Sequence, residues 1–242
     1  MNIPNSSQGF LFDGLQDEDL KKRMSDPRTR PLRFVTLLHD ATRLHYDFRL
    51  ELTSILKSWV LPAGASVRAG EKREAILVED HGKSSLTDGA ERVILPGNYG
   101  AGTVLIWDRG NYHIRDVAGR NANLTAVMAG LEKGMLRLIL EGQRLKGEFK
   151  LFRDSNQEQD QWLLVKEPDE FAANEDITLQ NRSMLTNRTL AEIASSNGWW
   201  THLQTKQALA ASPYSEEELK QMRQKKAGMT LNEFIKKMDM DP

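Results

Sequence analysis

The feature that most constrains the fold is a series of short apolar or alternating runs between Arg33 and Lys166. Turn-forming stretches such as PAGAS, LPGNYGAG, DRGN and RDSNQ separate these runs. Many short strands at close spacing are typical of an all-β barrel or sandwich rather than of alternating βα units. We therefore predict a mainly β fold. The eight runs are RFVTLLH, HYDFRLEL, LKSWVL, REAILVED, GTVLIWDR, MLRLIL, GEFKLFR and QWLLVK.

Helical signals are confined to one short interruption and to the end of the chain. The segment NLTAVMAGLEK is a helix candidate that ends at Gly134. After residue 166 the spacing of a capping box, which satisfies the free amides at a helix start, occurs three times. These pairs are Thr189 with Glu192, Ser215 with Glu218, and Thr230 with Glu233. We predict a polar basic N-terminal arm (1–32), a barrel (33–168), and a linker with a peripheral helical C-terminal extension (169–242).

Composition limits the classes of function that are open to the chain. A formal net charge of −1 argues against a strongly basic protein that coats nucleic acid non-specifically. The chain has no cysteine, which excludes disulfides, thiolate zinc sites and cysteine nucleophiles. It shows neither a signal peptide at its start nor an apolar run long enough to span a membrane. We expect a cytoplasmic protein with no membrane partner.

The segment HDATRLHYDFRLE, residues 39–51, mixes charged groups with large apolar ones. Side chains of a strand alternate between its two faces. One face of the predicted strand is therefore an apolar stripe that belongs in the core, made of Tyr46, Phe48, Leu50 and Leu52. The other face is polar and carries His45, Asp47, Arg49 and Glu51.

The polar face of this strand has the composition of a metal site. His45 and Asp47 lie two residues apart and can bind one cation, and His39 could complete the site from a neighbouring strand. Imidazole and carboxylate together suit Mn²⁺, Fe²⁺ or Zn²⁺ rather than Ca²⁺. Arg49, one step further along, offers a planar charged fork that can receive a phosphate group.

A second stretch, REAILVEDHG, repeats this chemistry. Alternation places Leu77, Glu79 and His81 on one face, and Arg73 has the same parity. His81 could hydrogen-bond a phosphoryl oxygen or act as an acid, and Glu79 could orient a ligand histidine. The two remaining histidines, at 113 and 202, are expected to be structural.

Taken in order, these motifs resemble the phosphoesterase domain of bacterial DNA ligase D and its stand-alone relatives. The resemblance covers roughly residues 33–166 and includes HDATRLHYDFRLEL, LKSW, VEDH, PGNYGAGTVLIWDRG, LKGEFKLFR and QWLLVK. It implies a compact closed β-barrel and a manganese-dependent activity on the 3′ ends of DNA or RNA. That activity would remove a terminal ribonucleoside and then the 3′-phosphate, leaving a 3′-OH for repair synthesis and ligation. A DNA-repair ligase or polymerase is then an expected partner, in non-homologous end joining.

The same resemblance implies roles for individual residues. The metal ligands would be His39, His45 and Asp47. The catalytic group would be Arg49, His81 and Glu79. The contacts to the substrate phosphate would come from Arg49, His81, Ser58 and Arg73.

Three positions depart from the family pattern. The family continues VEDH with P-L-D-Y, whereas this chain has Gly82 in place of the proline and Ser85 in place of the tyrosine. The lysine of the family's P-K-G is Ala63 here. Either a basic side chain such as Lys83 compensates, or the protein has lost catalysis and acts as a nucleic-acid-end-binding or scaffold protein.

Two further interpretations remain open at the level of sequence. His45, Asp47 and His81 formally fit the facial triad of a non-haem iron oxygenase, which is also built on a β-barrel. A pure binding module would instead use the basic arm at 21–33 together with a second basic patch. That patch would consist of Arg144, Lys146, Lys150 and Arg153.

Overall fold

The fold is a closed antiparallel β-barrel, seen in a computed structural model that describes residues 29–95, 98, 100–154 and 160–196. The mainly β prediction is confirmed, and the topology is a barrel rather than a sandwich. The nine strands are β1 Leu32–Asp40, β2 Leu44–Glu51, β3 Leu56–Leu61, β4 Lys72–His81, β5 Arg92–Ile94, β6 Gly102–Ile114, β7 Met135–Glu141, β8 Lys146–Arg153 and β9 Gln161–Lys166.

Eight of these strands form the barrel wall in the order β1-β2-β3-β4-β9-β8-β7-β6, and β1 pairs with β6 to close it. Strand β5 adds to the outer edge of β6 and is not one of the eight predicted runs. In the part of the chain that the structure describes, three short 3₁₀ turns lie in the connections: Lys83–Leu86, Asp88–Ala90 and Ile177–Leu179. Within the described residues no helix is both long and apolar enough to cross a membrane.

The apolar stripe predicted for β2 lies in the barrel interior. Tyr46, Phe48, Leu50 and Leu52 are all buried in one large cluster with core residues of the other barrel strands. Trp59 and Trp162 meet edge to face in this cluster, with ring centroids 5.7 Å apart. Because this interior holds the strand in place, the polar face of β2 points outward, away from the main core.

A second, smaller apolar cluster covers the outside of the barrel next to this polar face. It joins outward-facing residues of β1, β3 and β6 to the segment after β4 and to residues that follow β9. The Met184 amide donates to the Ile106 carbonyl at 2.9 Å, and Trp107 Nε1 donates to the Gln180 carbonyl at 2.7 Å. The chain after β9 therefore packs against the barrel as far as the structure describes it.

Two α-helices occur in the described residues, and both follow their sequence signals. Helix α1, Arg120–Lys133, ends at Gly134 in a left-handed conformation (φ 74°), as predicted. It begins three residues before the predicted segment. Helix α2, Leu190–Ser196, opens with a reciprocal capping box between Thr189 and Glu192 at 2.7 and 3.2 Å.

The two other predicted capping boxes lie outside the described residues, as do residues 1–28 of the predicted arm. The division into arm, barrel and extension stays a prediction.

Candidate metal centre and phosphate-binding face

The three predicted metal ligands meet on the outer surface of the barrel. Antiparallel pairing of β1 with β2 places His39 directly opposite His45, and Asp47 follows two residues along the same face. The imidazole rings lie 4.8 Å apart between centroids. One potential ligand atom from each of the three residues falls within 4.8 Å of the others. The pairing register therefore assembles a His–His–Asp group from two adjacent strands.

The arrangement of these atoms fits a bound divalent cation. His45 Nδ1 faces the Arg43 carbonyl at 2.9 Å, so Nδ1 carries the proton and Nε2 keeps its lone pair. That lone pair faces Asp47 Oδ1 at 3.6 Å, and His39 Nδ1 faces Asp47 Oδ2 at 3.8 Å. Nitrogen and carboxylate oxygen at these separations suit ligands that share a cation better than direct hydrogen bonds.

Electrostatics favour the protonation states that metal binding needs at His39 and Asp47, but not at His45. Burial lowers the pKa of His39, which favours neutral imidazole. Burial would raise the pKa of Asp47, but contact with His45 and the charge of Arg49 outweigh it and lower that pKa to about 2. Burial opposes charge on His45, but its contacts with Asp47 and the Arg43 carbonyl raise its pKa, so a cation that binds His45 must displace a proton. The Asp47 carboxylate, with its lowered pKa, is ionised throughout the physiological range.

Arg49 is locked beside the metal group. Its Nη2 donates to Asp47 Oδ2 at 2.9 Å, and its Nη1 donates to Ser85 Oγ at 2.6 Å. Both contacts are buried, and Arg49 Nε has no hydrogen-bond partner among the described residues. Ser85, the departure from the family tyrosine, thus contacts the predicted phosphate-binding arginine directly.

His81 reaches the same outer face because β4 contains a bulge. The register of β3 with β4 shifts so that Leu56 opposes His81 whereas Ser58 opposes Val78. The predicted alternation, which grouped His81 with Leu77, is therefore wrong: Leu77 packs against the interior cluster. His81 Nδ1 instead lies 3.1 Å from Ser58 Oγ on the outer face.

The remaining predicted site residues lie elsewhere. Glu79 sits in the bulge and is exposed. Arg73 lies near the start of β4, pairs with Glu71 at 2.8 Å and donates to the Ala63 carbonyl at 3.5 Å. In the described part of the chain, no contact links Arg73 to the three metal-ligand candidates.

The geometry changes the residue sets of the two rival interpretations. Among the described residues it is His39, not His81, that groups with His45 and Asp47, so the set predicted for an oxygenase does not form, although the observed group is also two histidines and one carboxylate. The predicted basic patch includes Arg144, but its guanidinium packs over Trp107 and donates to the Trp107 carbonyl and to Gln180. It holds the chain after β9 against the barrel.

Sequence reasoning gave no role to Glu51, although Glu51 shares the outward parity of His45, Asp47 and Arg49. Its side chain is completely buried, and four basic side chains surround it. They are Arg30, Arg33, Lys83 and Arg120. Strand alternation correctly placed Glu51 on the outward face. Arg30 and Arg120, however, come from distant parts of the sequence, and only the fold brings them to Glu51.

The fold and the site define a class: a β-barrel domain with a metal-ligand group and a fixed arginine on its outer wall. Residues 38–153 match the family described as the DNA Ligase D 3′-phosphoesterase domain. The resemblance stated from the motifs is confirmed.

Individual relatives come from bacterial end-joining proteins. The chain is 43% identical over 164 residues to the "Multifunctional non-homologous end joining protein LigD" of Pseudomonas aeruginosa, covering 66% of this chain and 18% of that protein. It is 35% identical over 130 residues to the "Multifunctional non-homologous end joining DNA repair protein LigD" of Mycobacterium tuberculosis, covering 54% of this chain and 15% of that protein. The chain thus spans less than a fifth of the length of these relatives.

Proposed function

We propose that this protein is a manganese-dependent phosphoesterase that processes the 3′ ends of DNA or RNA for end joining. It would remove a 3′-terminal ribonucleoside and a 3′-phosphate to leave a 3′-OH. The observation that carries the proposal is the His39, His45 and Asp47 group with Arg49 fixed beside it. The family of residues 38–153 supports the reaction class, and the names of the relatives support end joining as its context.

The metal group would bind Mn²⁺ or another divalent transition metal through two imidazoles and one carboxylate. When bound, such an ion supplies Lewis-acid activation of a phosphoryl oxygen and lowers the pKa of bound water. The lowered pKa of Asp47, about 2, keeps its carboxylate available as a ligand over the whole working range.

Arg49 would hold the scissile phosphate. Its two terminal nitrogens are already fixed by Asp47 and Ser85, so the guanidinium needs little reorganisation when an anion arrives. Each terminal nitrogen has a second N–H that would donate to a phosphoryl oxygen, whereas Nε–H is buried without a partner among the described residues. A planar charged fork in this position stabilises the negative charge that develops at phosphorus.

His81 would transfer the proton. Ser58 Oγ donates to the Leu56 carbonyl at 3.1 Å, so it accepts from His81 Nδ1–H and leaves the lone pair on Nε2. Burial lowers the pKa of His81, which favours this neutral form. His81 would therefore take a proton from a water or hydroxyl at the phosphate and return it to the leaving oxygen.

The test is a labelled primer–template that ends in a 3′-phosphate or in a single 3′-ribonucleotide, incubated with the protein and Mn²⁺. We expect the wild type to produce a 3′-OH terminus. His45→Ala and Asp47→Asn should reduce the product to the level of a protein-free sample, because each removes one ligand. His113→Ala is the matched control: His113 lies on β6, pairs with Glu141 at 3.9 Å, and should leave activity intact.

Two outcomes would replace this proposal. Tight binding of DNA ends without any change of the 3′ terminus, independent of Mn²⁺, would favour an end-binding or scaffold protein. Oxygen consumption with Fe²⁺ and a 2-oxoacid would favour the oxygenase interpretation. A ligase or polymerase as partner and a cytoplasmic location remain part of the proposal.

A further inference from the structure

The carboxylate of Glu51 lies at the centre of a group of cations that outnumber it. Four basic side chains lie within 3.6 Å of its oxygens: Arg30 at 2.5, Lys83 at 3.0, Arg120 at 3.4 and Arg33 at 3.6 Å. Among the described residues, this group therefore carries three positive charges in excess. We call these five residues the Glu51 cluster.

Satisfying Glu51 does not require so many cations. Arg30 alone contacts both carboxylate oxygens, at 2.7 and 2.5 Å, and the Arg33 amide adds a further hydrogen bond at 3.1 Å. A carboxylate offers about four lone pairs, and these donors with Lys83 already fill them. Within the described cluster, the N–H groups that remain on Arg33 and Lys83 have no carboxylate left to bind.

The two outer cations of the cluster face solvent. The side chains of Arg33 and Lys83 are 41% and 32% exposed, whereas those of Arg30 and Arg120 are 14% and 7% exposed. Arg33 Nε is nevertheless buried without a hydrogen-bond partner among the described residues. Burial and the neighbouring charge of Arg30 lower the pKa of Arg33, as expected where like charges are held together without enough anions.

The cluster is continuous with the candidate metal centre. Glu51 follows Asp47 by four residues on the same outward face of β2, a distance of about 13 Å along an extended strand. Arg49 lies between them. Lys83 begins the 3₁₀ turn Lys83–Leu86, whose Ser85 binds Arg49. Arg49 and the turn that carries Lys83 and Ser85 therefore connect the metal-ligand group to the cluster.

We infer that the Glu51 cluster binds the backbone phosphates of the same strand, upstream of the 3′ terminus that lies at the metal group. The inference rests on the proposed function for the placement of that terminus. Glu51 would hold the cations in position, while Arg33 and Lys83 would contact phosphodiester oxygens that carry no base information. The cluster would thereby distinguish a strand end from a free phosphate or a mononucleotide.

The test is direct binding, measured by the fluorescence anisotropy of a labelled single strand ending in a 3′-phosphate, over a range of salt concentrations. Lys83→Met and Arg33→Met each remove one outer cation and keep the apolar stem. We expect each to weaken binding by roughly 3- to 10-fold at low salt. The slope of log K against log salt should fall by about 0.7 for each phosphate that a variant no longer neutralises.

Lys72→Met is the matched control, because Lys72 is an exposed lysine at the start of β4, at the opposite end of that strand from His81 and the turn that carries Lys83. It should change neither the affinity nor the slope. Thermal unfolding of all three variants separates loss of binding from loss of fold, and Arg30 and Arg120 are left unchanged because they are nearly buried.

Binding and turnover are separate measurements, so the two proposals can fail separately. Suppose that the wild type binds the strand, that the salt slope depends on the cluster, and that no 3′-OH forms. The proposed role of the cluster would then stand, and the proposed phosphoesterase activity would be refuted. If the Lys83→Met and Arg33→Met variants bind the strand as tightly as Lys72→Met, the cluster does not bind phosphates, whatever the result of the activity assay. A wild type that fails to bind the strand also refutes the proposed role of the cluster.

Discussion

At the scale of single residues, the site depends on second contacts that hold the chemical groups in place. Arg49 is fixed by Asp47 on one side and by Ser85 on the other. His45 and His81 each have one ring nitrogen bound to an oxygen, at Arg43 and Ser58 respectively, which leaves the other nitrogen for chemistry. These contacts decide what each group can do.

Ser85→Ala tests this at the arginine. Removal of the hydroxyl leaves Arg49 Nη1 without its buried partner, so the guanidinium keeps only the hydrogen bond to Asp47. We expect KM for a 3′-phosphate end to rise by roughly tenfold, since small displacements of a positioning group are costly. The free energy of unfolding should fall by about 1 kcal/mol.

Steady-state kinetics and urea unfolding measure the two effects. Ser84→Ala, the exposed neighbour in the same 3₁₀ turn, is the control and should change neither quantity. If Ser85→Ala kept both the KM and the stability of the wild type, the hydrogen bond of 2.6 Å between Ser85 and Arg49 would have no role in positioning the guanidinium.

At the scale of elements, closure of the barrel brings β1 and β6 together and sets the edge of the site. β1 carries His39 near its end, and its last residue, Asp40, pairs with Thr103 of β6. Gly102, the first residue of β6, has a positive φ of 144° there. A Cβ at this position would overlap the Asp40 carbonyl oxygen, so the close approach requires glycine.

Gly102→Ala should therefore destabilise the barrel strongly. The clash is with backbone, which cannot rotate away, and the positive φ adds strain. We expect the free energy of unfolding to drop by about 3 kcal/mol, measured by urea unfolding. Gly82→Ala is the control, because Gly82 has φ −71° and a Cβ added there would meet nothing within 4 Å; it should change stability by less than about 1 kcal/mol. Equal stability of the two variants would contradict the close approach of Gly102 to the Asp40 carbonyl.

At the scale of the whole molecule, a net charge near zero conceals a strongly uneven distribution. The chain as a whole carries −1, yet the described residues concentrate three excess positive charges around Glu51. The charge of the whole chain argues against a basic coat, and it cannot report a local surface of this kind. Glu51 also ties the residues before β1 and the start of α1 to the barrel, through Arg30 and Arg120.

Acid stability should follow the protonation of Glu51. Burial would raise its pKa, but hydrogen bonds from Arg30 and Lys83 lower it from 4.5 to about 2. A depressed carboxyl pKa stabilises the folded state fully above the unfolded value of 4.5, and this stabilisation is lost as the pH falls toward 2. The stability advantage of the wild type over Glu51→Gln should therefore be constant near neutral pH and shrink below about pH 4.5.

Urea unfolding of both proteins at a series of pH values measures this difference. Glu74→Gln, a substitution of an exposed carboxylate on β4, is the control for the general effect of losing one negative charge. If the wild-type advantage were as large at about pH 3 as at neutral pH, the surrounding cations would not be lowering the pKa of Glu51 in the folded state.

The sequence by itself determined the β class, the helix that ends at Gly134, the capping box at Thr189, and the inward and outward faces of β2. These features are local: alternation, capping and turn chemistry act over a few residues, so the pattern of Tyr46, Phe48 and Leu50 suffices to orient His45 and Asp47. The order of the motifs along the chain was sufficient to predict the resemblance to the family.

Only the tertiary structure decided how distant segments meet. The bulge in β4 turned His81 to the outer face, against simple alternation, because a single extra residue reverses the parity of everything after it. The contact of Ser85 with Arg49 and the cations around Glu51 join residues up to 69 positions apart. Such contacts depend on strand register and barrel closure, which no local pattern encodes.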